Sequence, residues 1–208
     1  MIYQLDKRII FPDPALAEPD GLLAIGGDLS VERLLNAYAH GIFPWYSNKQ
    51  PILWYSPHER FVLFPDQIKI SKSMRQVLKS GKFKVTFDQD FAAVINACAS
   101  VSRSGQRGTW ITNNMEKAYM ELHNQGKAHS VEVWQNEELV GGLYGIEVNQ
   151  IFCGESMFSK VSNASKLALI ALCQQKNYEL IDCQMYTEHL ESLGAIMISR
   201  EEFQNFLS

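Results

Sequence analysis

The order of apolar segments in the C-terminal two thirds of the chain predicts an α+β fold. Three strand-like runs at about 130–134, 139–148 and 151–155 are joined by short turns, which predicts an antiparallel meander. A nearly all-apolar helix at 164–175 then leads into a further strand at 178–185. Because the helices between these strands need a surface to cover, we expect a mixed, mostly antiparallel sheet flanked by helices.

Helix starts are marked by residues whose side chains can cap the first turn. Ser, Asp or Asn before an apolar stripe satisfies backbone N–H groups that have no partner within the helix. The candidate caps are Asp28 or Ser30, Asp88, Asn113 with Glu116, and Ser199 with Glu202.

Residues 1–60 differ from the rest and predict a small N-terminal domain, with a larger domain at 61–208. Turn residues punctuate this segment, and aromatic residues and prolines concentrate at 43–46 and 54–57. Composition favours a core role for these aromatic side chains. A stacking surface for a base or a peptide is the alternative, above all for Trp45 beside its proline.

Composition and charge describe an ordinary globular protein of 208 residues with a formal net charge of -4. Any nucleic-acid binding must therefore come from a local patch. The N-terminus lacks a signal-peptide pattern, and the longest apolar run, 167–173, is too short to span a bilayer. The four cysteines have no paired spacing, which predicts reduced thiols without a zinc site in a cytoplasmic protein.

Two predicted core strands carry polar residues where a core strand should be apolar. In the strand at 178–185, alternate side chains face opposite sides, so Asp182 and Gln184 share one face. Glu155 ends the third strand, after a glycine that allows close approach of another group. Buried carboxylates need partners. These residues therefore mark either a functional site or a network that only fixes the sheet, and two such strand ends favour a site.

Positive charge is concentrated in the segment 66–84. As a helix from about 71 to 79, it places four apolar residues on one side: Ile70, Met74, Val77 and Leu78. The opposite face and the following residues are basic: Lys72, Arg75, Lys79, Lys82 and Lys84. A solvated face and a surface for a phosphate backbone are both open interpretations.

The element order resembles the Gcn5-related N-acetyltransferase fold, which holds an acyl donor in a cleft beside its fourth strand. Members of that superfamily that use coenzyme A bind its pyrophosphate with a glycine-containing loop that opens the following helix. The corresponding stretch here, 158–165, has no glycine. The missing loop argues against a coenzyme A donor and leaves acyl transfer open.

The residues resemble a more specific family, the leucyl/phenylalanyl-tRNA–protein transferases, from about residue 9 to the end. The matching strings, rich in glycine and tryptophan, are 21–29, 41–46, 51–57, 108–111, 129–134, 141–145, 152–159 and 180–184. The resemblance implies a small N-terminal domain on an acetyltransferase-like domain that acts without metal or cofactor.

The implied reaction moves leucine or phenylalanine, with methionine as a further candidate, from aminoacyl-tRNA to the α-amine of a protein that begins with Arg or Lys. The product is marked for degradation in bacteria, and a monomer is expected. Two alternatives are an acyl-thioester-dependent N-acyltransferase of a small molecule or peptide, and a non-catalytic binder of tRNA ends or peptides.

The resemblance assigns catalysis to Asp182, Gln184 and Glu155. In the implied mechanism Gln184 accepts a proton from the attacking amine, and Asp182 polarises Gln184. Because a neutral amide is a very poor base, we expect the Gln184 oxygen to orient the amine while Asp182 draws its proton away. Glu155 suits the cationic side chain or the α-ammonium of the acceptor, with an internal hydrogen-bonding role as the alternative.

The resemblance also assigns the substrate contacts. The implied apolar pocket for the donor side chain consists of Leu143, Phe152, Met157, Leu169, Leu172 and Ile181. Leu143 and Leu172 stand where the family often has Met and Phe, which leaves the order of preference among donors open. Trp45 and Trp110 correspond to aromatic contacts with the terminal adenosine, and the basic residues at 72–84 would hold tRNA phosphates.

Overall fold

The N-terminal part of the chain folds around a four-stranded sheet. The computed structural model describes residues 2–47, 50–101, 111–175 and 177–207. The first strands are β1 (Tyr3–Leu5), β2 (Leu22–Gly26), β3 (Phe43–Pro44) and β4 (Leu53–Tyr55), paired in the order β1-β2-β4-β3. The sequence pattern does not reveal these strands, because they are too short to show an alternation of apolar and polar residues.

A seven-stranded sheet forms the rest of the framework. Its strands are β5 (Glu59–Leu63), β6 (Lys84–Phe87), β7 (Ala128–Gln135), β8 (Glu138–Val148), β9 (Ile151–Ser159), β10 (Leu180–Gln184) and β11 (Ile196–Ser199). They pair in the order β11-β5-β10-β9-β8-β7-β6. Only β9 and β10 run parallel within this sheet. The predicted meander is β7-β8-β9, and the predicted α+β class with a mostly antiparallel sheet is confirmed.

Seven α-helices accompany the sheets in the described ranges. They are α1 (Val31–Ala39), α2 (Lys72–Lys79), α3 (Phe91–Ser100), α4 (Asn113–Asn124), α5 (Ala164–Gln175), α6 (Glu188–Ser192) and α7 (Arg200–Leu207). Two of the predicted caps are confirmed. The Ser30 hydroxyl accepts from the backbone N–H of Arg33. Ser199 and Glu202 each accept from the backbone N–H of the other, which is a capping box.

Two of the predicted caps are wrong by one or two residues. Asp90 caps α3, whereas Asp88 has a left-handed backbone (φ 53°) and its carboxylate accepts from the backbone N–H of Ser130 at 2.8 Å. Asp88 therefore ties the end of β6 to β7 instead of starting a helix. Thr112 caps α4, so Asn113 is the first residue inside that helix.

Helices cover both faces of the seven-stranded sheet, so two apolar cores result. On one face α3 and α4 pack together with the N-terminal sheet, around residues such as Trp54 and Tyr119. On the other face α5 packs against residues such as Phe61 and Leu143. The core interpretation of the N-terminal aromatic residues is confirmed for Trp54, which is fully buried.

The chain enters the larger sheet just before the predicted domain boundary. Glu59 and Arg60 already belong to β5, which pairs with β10 and β11. The core on the α3 face includes side chains from both parts of the chain. The division into domains 1–60 and 61–208 stays a prediction.

We predict that Gly145→Ala destabilises the fold and that Gly154→Ala, at the paired position on β9, does not. A β-carbon at residue 145 would overlap the carbonyl oxygen of Cys153 and lie 2.6 Å from the ring of Phe152. At residue 154 the nearest atom would be the Asp182 carbonyl oxygen at 3.4 Å, an ordinary contact. Urea denaturation should show a loss of about 1–3 kcal/mol for Gly145→Ala, the usual cost of overpacking. Equal losses in the two variants would contradict this view of β8 and β9.

Candidate active site

Two β-bulges place the polar residues of the central strands. Between β8 and β9, Tyr144 pairs with Ser156 and Gly145 pairs with Gly154, so Glu155 is an extra residue without a partner. Between β5 and β10, Val62 pairs with Asp182 and the next pair already involves Gln184. Bulges redirect side chains and often occur beside active sites. The prediction that Glu155 ends its strand is wrong, because β9 continues to Ser159.

Asp182 forms a buried ion pair with Arg60 of β5. The guanidinium donates through Nε to Oδ1 and through Nη2 to Oδ2, both at 2.8 Å. The two side chains are only 0% and 2% exposed. Arg60 also donates through Nη1 to the carbonyl oxygen of Gly41 at 2.9 Å, so the pair is fully enclosed by protein. A bidentate, hydrogen-bonded arrangement of this kind compensates the loss of hydration.

Gln184 lies between the two carboxylates. Its backbone N–H donates to Oδ1 of Asp182 at 2.9 Å, and its side-chain Nε2 donates to Oε1 of Glu155 at 2.8 Å. Its backbone is left-handed, with φ at 63°, which is uncommon for a residue other than glycine and is fixed here by both contacts. Because the amide group is planar, the bond to Glu155 also fixes the direction of the Gln184 carbonyl oxygen.

Glu155 is held by two tyrosines in addition to Gln184. The hydroxyl of Tyr38 donates to Oε1 at 2.7 Å, and that of Tyr119 donates to Oε2 at 2.9 Å. Burial disfavours the charged form and raises the pKa of Glu155 from 4.5 to about 7, although all three hydrogen bonds act in the opposite direction. Among the described residues the carboxylate thus has internal donors on both oxygens, which favours its internal role over direct binding of a cation.

A cavity of about 520 Å³ opens beside these polar groups. All six residues predicted for the apolar pocket line it: Leu143, Phe152, Met157, Leu169, Leu172 and Ile181. Glu155, Asp182 and Gln184 line the same cavity. The site is therefore an apolar pocket with a small polar wall, an arrangement that suits an apolar ligand with one reacting polar group.

Trp45 stands at the edge of this cavity and is 37% exposed. Its ring packs edge-on against Tyr55, with the ring centroids 5.7 Å apart, which leaves ring surface open to solvent. Trp110 lies outside the described residues.

The five basic residues predicted to contact phosphate lie on α2 and on or before β6. All of them are exposed, and none makes an ion pair within the part of the chain that the structure describes. A second cavity of about 510 Å³, lined by Lys69, Arg75 and Lys166 among others, lies between α2 and α6. The predicted apolar side of α2 needs one correction, because Leu78 is 39% exposed and only Met74 is fully buried.

Other features of the described residues add no second chemistry. No group of three or more His, Cys, Asp and Glu side chains in these ranges could hold a metal ion. All four cysteines are free, and Cys183 is the one that is not fully buried. None of the helices in these ranges combines the length and apolarity needed to cross a membrane.

Sequence reasoning missed Arg60, Tyr38 and Tyr119. The signal for Arg60 was present, because a cation directly before the apolar run 61–64 needs a partner as much as Asp182 does. Nothing in the sequence around Tyr38 and Tyr119 indicated that their hydroxyls have a role in the site. Tyr38 and Tyr119 lie on the apolar faces of α1 and α4, where an aromatic side chain fits without its hydroxyl.

We predict that Arg60→Met leaves Asp182 buried without its counter-charge and lowers the free energy of unfolding by about 3–5 kcal/mol. The matched control is Arg8→Met, which breaks an Arg–Asp pair of the same 2.8 Å length whose side chains are 76% and 56% exposed. Solvent screens that pair, so the control should leave stability nearly unchanged. Urea denaturation followed by circular dichroism measures both, and a small effect for Arg60→Met would contradict a structural role for the buried pair.

Comparison with known proteins identifies the family. The leucyl/phenylalanyl-tRNA protein transferase family matches residues 62–208, and the N-terminal domain of the same family matches residues 27–58. A protein from Flavobacterium johnsoniae named leucyl/phenylalanyl-tRNA--protein transferase is 57% identical and aligns over 99% of both chains. A protein of the same name from Azotobacter vinelandii is 58% identical over 93% of this chain and 86% of that one.

A Gcn5-related N-acetyltransferase from Kribbella flavida is a structural neighbour with a TM-score of 0.40 and 9% identity, covering 77% of this chain and 58% of that one. That likeness is too weak to bear on the site. The sequence relatives decide the assignment, since their identity is high over nearly the whole chain. The chain belongs to the leucyl/phenylalanyl-tRNA–protein transferase family and is an aminoacyltransferase.

Proposed function

We propose that the protein transfers leucine or phenylalanine, and methionine as a further donor, from aminoacyl-tRNA to the N-terminal α-amine of proteins that begin with Arg or Lys. The product would carry an apolar N-terminus that marks it for degradation in the bacterial cytoplasm. The observation that carries this proposal is the apolar cavity whose one polar wall contains Gln184 and Glu155.

The cavity suits the side chain of the donor amino acid. Its lining includes the six predicted apolar residues, and a volume of about 520 Å³ accommodates a leucyl or phenylalanyl group together with part of the ribose. Apolar walls reject polar amino acids, since a buried polar group without a partner is costly. Discrimination among leucine, phenylalanine and methionine depends on smaller differences in shape.

The terminal adenosine of the tRNA would stack on Trp45 at the edge of the cavity. The tRNA backbone would lie across the exposed basic residues of α2 and the second cavity. Helix α6 connects the two regions, because His189 and Leu190 line the main cavity while Ser192 and Leu193 line the second one. Phosphate contacts of this kind carry little sequence information and weaken steeply with salt.

The reaction converts an ester into an amide, so catalysis depends on positioning and on moving one proton. The acceptor amine must be neutral and must approach the ester carbonyl carbon. In this proposal the carbonyl oxygen of Gln184, whose amide is held by Glu155, would accept a hydrogen bond from that amine. Asp182 supports this geometry through the backbone N–H of Gln184, and Arg60 holds Asp182 in turn.

The thioester-dependent alternative is disfavoured by the start of α5. A pyrophosphate group would need free backbone N–H groups at that end of the helix. The hydroxyl of Ser159 already accepts from the backbone N–H of Ser165 at 3.3 Å. This contact makes the start of α5 less suited to bind a pyrophosphate group.

Transfer of labelled leucine from leucyl-tRNA to a peptide that begins with Arg tests the function directly. We expect label on the free peptide and none on the same peptide with an acetylated N-terminus, since the acetyl group removes the nucleophile. Binding of both substrates without transfer would point to a non-catalytic binder. Failure to bind the tRNA would favour the thioester-dependent alternative.

We predict that Leu172→Phe narrows the donor pocket and lowers kcat/KM for phenylalanyl-tRNA about tenfold more than for leucyl-tRNA. One methylene more or less in an apolar pocket already changes kcat/KM by about tenfold or more, and Leu172→Phe adds the larger bulk of a ring. The leucyl donor is the internal control, because a loss of folded protein would lower both rates equally. If the ratio of kcat/KM for the two donors did not change, Leu172 would not be part of the donor pocket.

A further inference from the structure

The proposed reaction leaves one proton unassigned. When the neutral amine attacks the ester, its nitrogen becomes positively charged and must lose a proton before the amide is stable. The Gln184 oxygen can accept a hydrogen bond from this nitrogen, but a neutral amide cannot keep the proton. A group with a pKa near neutrality must receive it.

The structure provides a route from Gln184 to such a group. The amide Nε2 of Gln184 donates to Oε1 of Glu155 at 2.8 Å, so the oxygen and the nitrogen of one amide connect the amine to the carboxylate. An amide can relay a proton in this way if it gains one on oxygen as it gives one up from nitrogen.

We propose that Glu155 is the final acceptor of this proton and that Gln184 relays it. The N–H bond of the amine breaks as an O–H bond forms on Gln184, and an N–H bond of Gln184 breaks as an O–H bond forms on Glu155. The reverse transfer then delivers the proton to the departing 3′-oxygen as the ester C–O bond breaks. The inference rests on the proposed function and adds a role for Glu155 that differs from binding the acceptor's cation.

Asp182 is a poorer candidate for the acceptor. Both of its oxygens are held by Arg60, and its contact with Gln184 is to the backbone N–H, which does not touch the relay atoms. Asp182 therefore serves as a positioning residue in this scheme.

Two phenols and one thiol close to Glu155 have raised pKa values. Burial raises the pKa values of Tyr38 on α1, Tyr119 on α4 and Cys153 on β9 well above their ordinary values, so all three remain protonated. Tyr144 of β8 packs edge-on against Tyr119, with the ring centroids 5.6 Å apart. The Asp182 charge is balanced by Arg60. Among these groups Glu155, whose pKa is about 7, titrates near neutrality. His189 of α6 lines the same cavity, and burial lowers the pKa of its imidazole below the ordinary value.

The pH dependence of kcat/KM tests the proposal, with leucyl-tRNA and a peptide that begins with Arg between pH 5.5 and 8.5. The α-amine, with a pKa near 8, must be neutral, and Glu155 must be ionised. The slope of log kcat/KM against pH should therefore rise from about 1 between pH 7 and 8 to about 2 below pH 7. For Glu155→Gln we expect a slope of about 1 at all pH values below the pKa of the amine, and a rate about 100-fold lower at pH 8.

Two further variants separate a proton role from a structural one. Glu132→Gln removes another fully buried carboxylate, one that accepts from Thr86 and Ser130 on β6 and β7, and should keep the wild-type profile. Tyr38→Phe removes a hydrogen bond that lowers the pKa of Glu155, so the change of slope should move to higher pH. If Glu155→Gln does not fold, this shift still tests whether Glu155 accepts the proton.

A wild-type slope of 1 down to pH 5.5 would overturn the proposal, as would a slope that stays at 2 in Glu155→Gln or a change of slope that does not move in Tyr38→Phe. These results differ from a failure of the proposed function. In that case the wild-type protein would transfer no label at pH 8, where both groups are in their reactive forms.

Discussion

The buried ion pair between Arg60 and Asp182 is the interaction on which the rest of the site depends. Arg60 lies between the rings of Phe43 and Phe203, 4.7 and 4.5 Å from their centroids, and also donates to the Gly41 carbonyl. One guanidinium thus joins the N-terminal sheet, the C-terminal helix α7 and strand β10. Because burial of either charge alone is costly, the pair forms only when all three parts are in place.

This ion pair also determines how β10 can end. The carboxylate of Asp182 binds the backbone N–H of Gln184, and the bulge at Cys183 lets Gln184 adopt its left-handed backbone. In a regular strand, simple alternation would decide which face the Gln184 side chain is on. The bond to Glu155 would then not fix its amide. The second bulge, at Glu155, moves the carboxylate of the neighbouring strand toward it. Two local irregularities in parallel strands therefore create the polar wall of an otherwise apolar cavity.

The sequence predicts much of this architecture but not its connections. Polar residues in apolar strands identify Asp182, Gln184 and Glu155, and the family resemblance identifies the pocket residues. The partners could not be predicted, since Arg60 is 122 residues from Asp182 and Tyr38 is 117 residues from Glu155. Bulges are equally hidden, because a strand with one extra residue looks like a regular strand in sequence. Local rules fail at Asp88 for a similar reason, as its partner Ser130 lies on another strand.

The two carboxylates differ because their partners differ, although they lie on adjacent parallel strands. Both oxygens of Asp182 bind the guanidinium of Arg60, so its charge is balanced by a neighbouring cation. Glu155 faces two phenols and an amide, which stabilise its charge less than burial destabilises it. Two acids with such different surroundings can have different roles. One fixes the geometry of the site and the other exchanges a proton. The residues that sequence alone did not reveal, Arg60 and the two tyrosines, are the ones that create this difference.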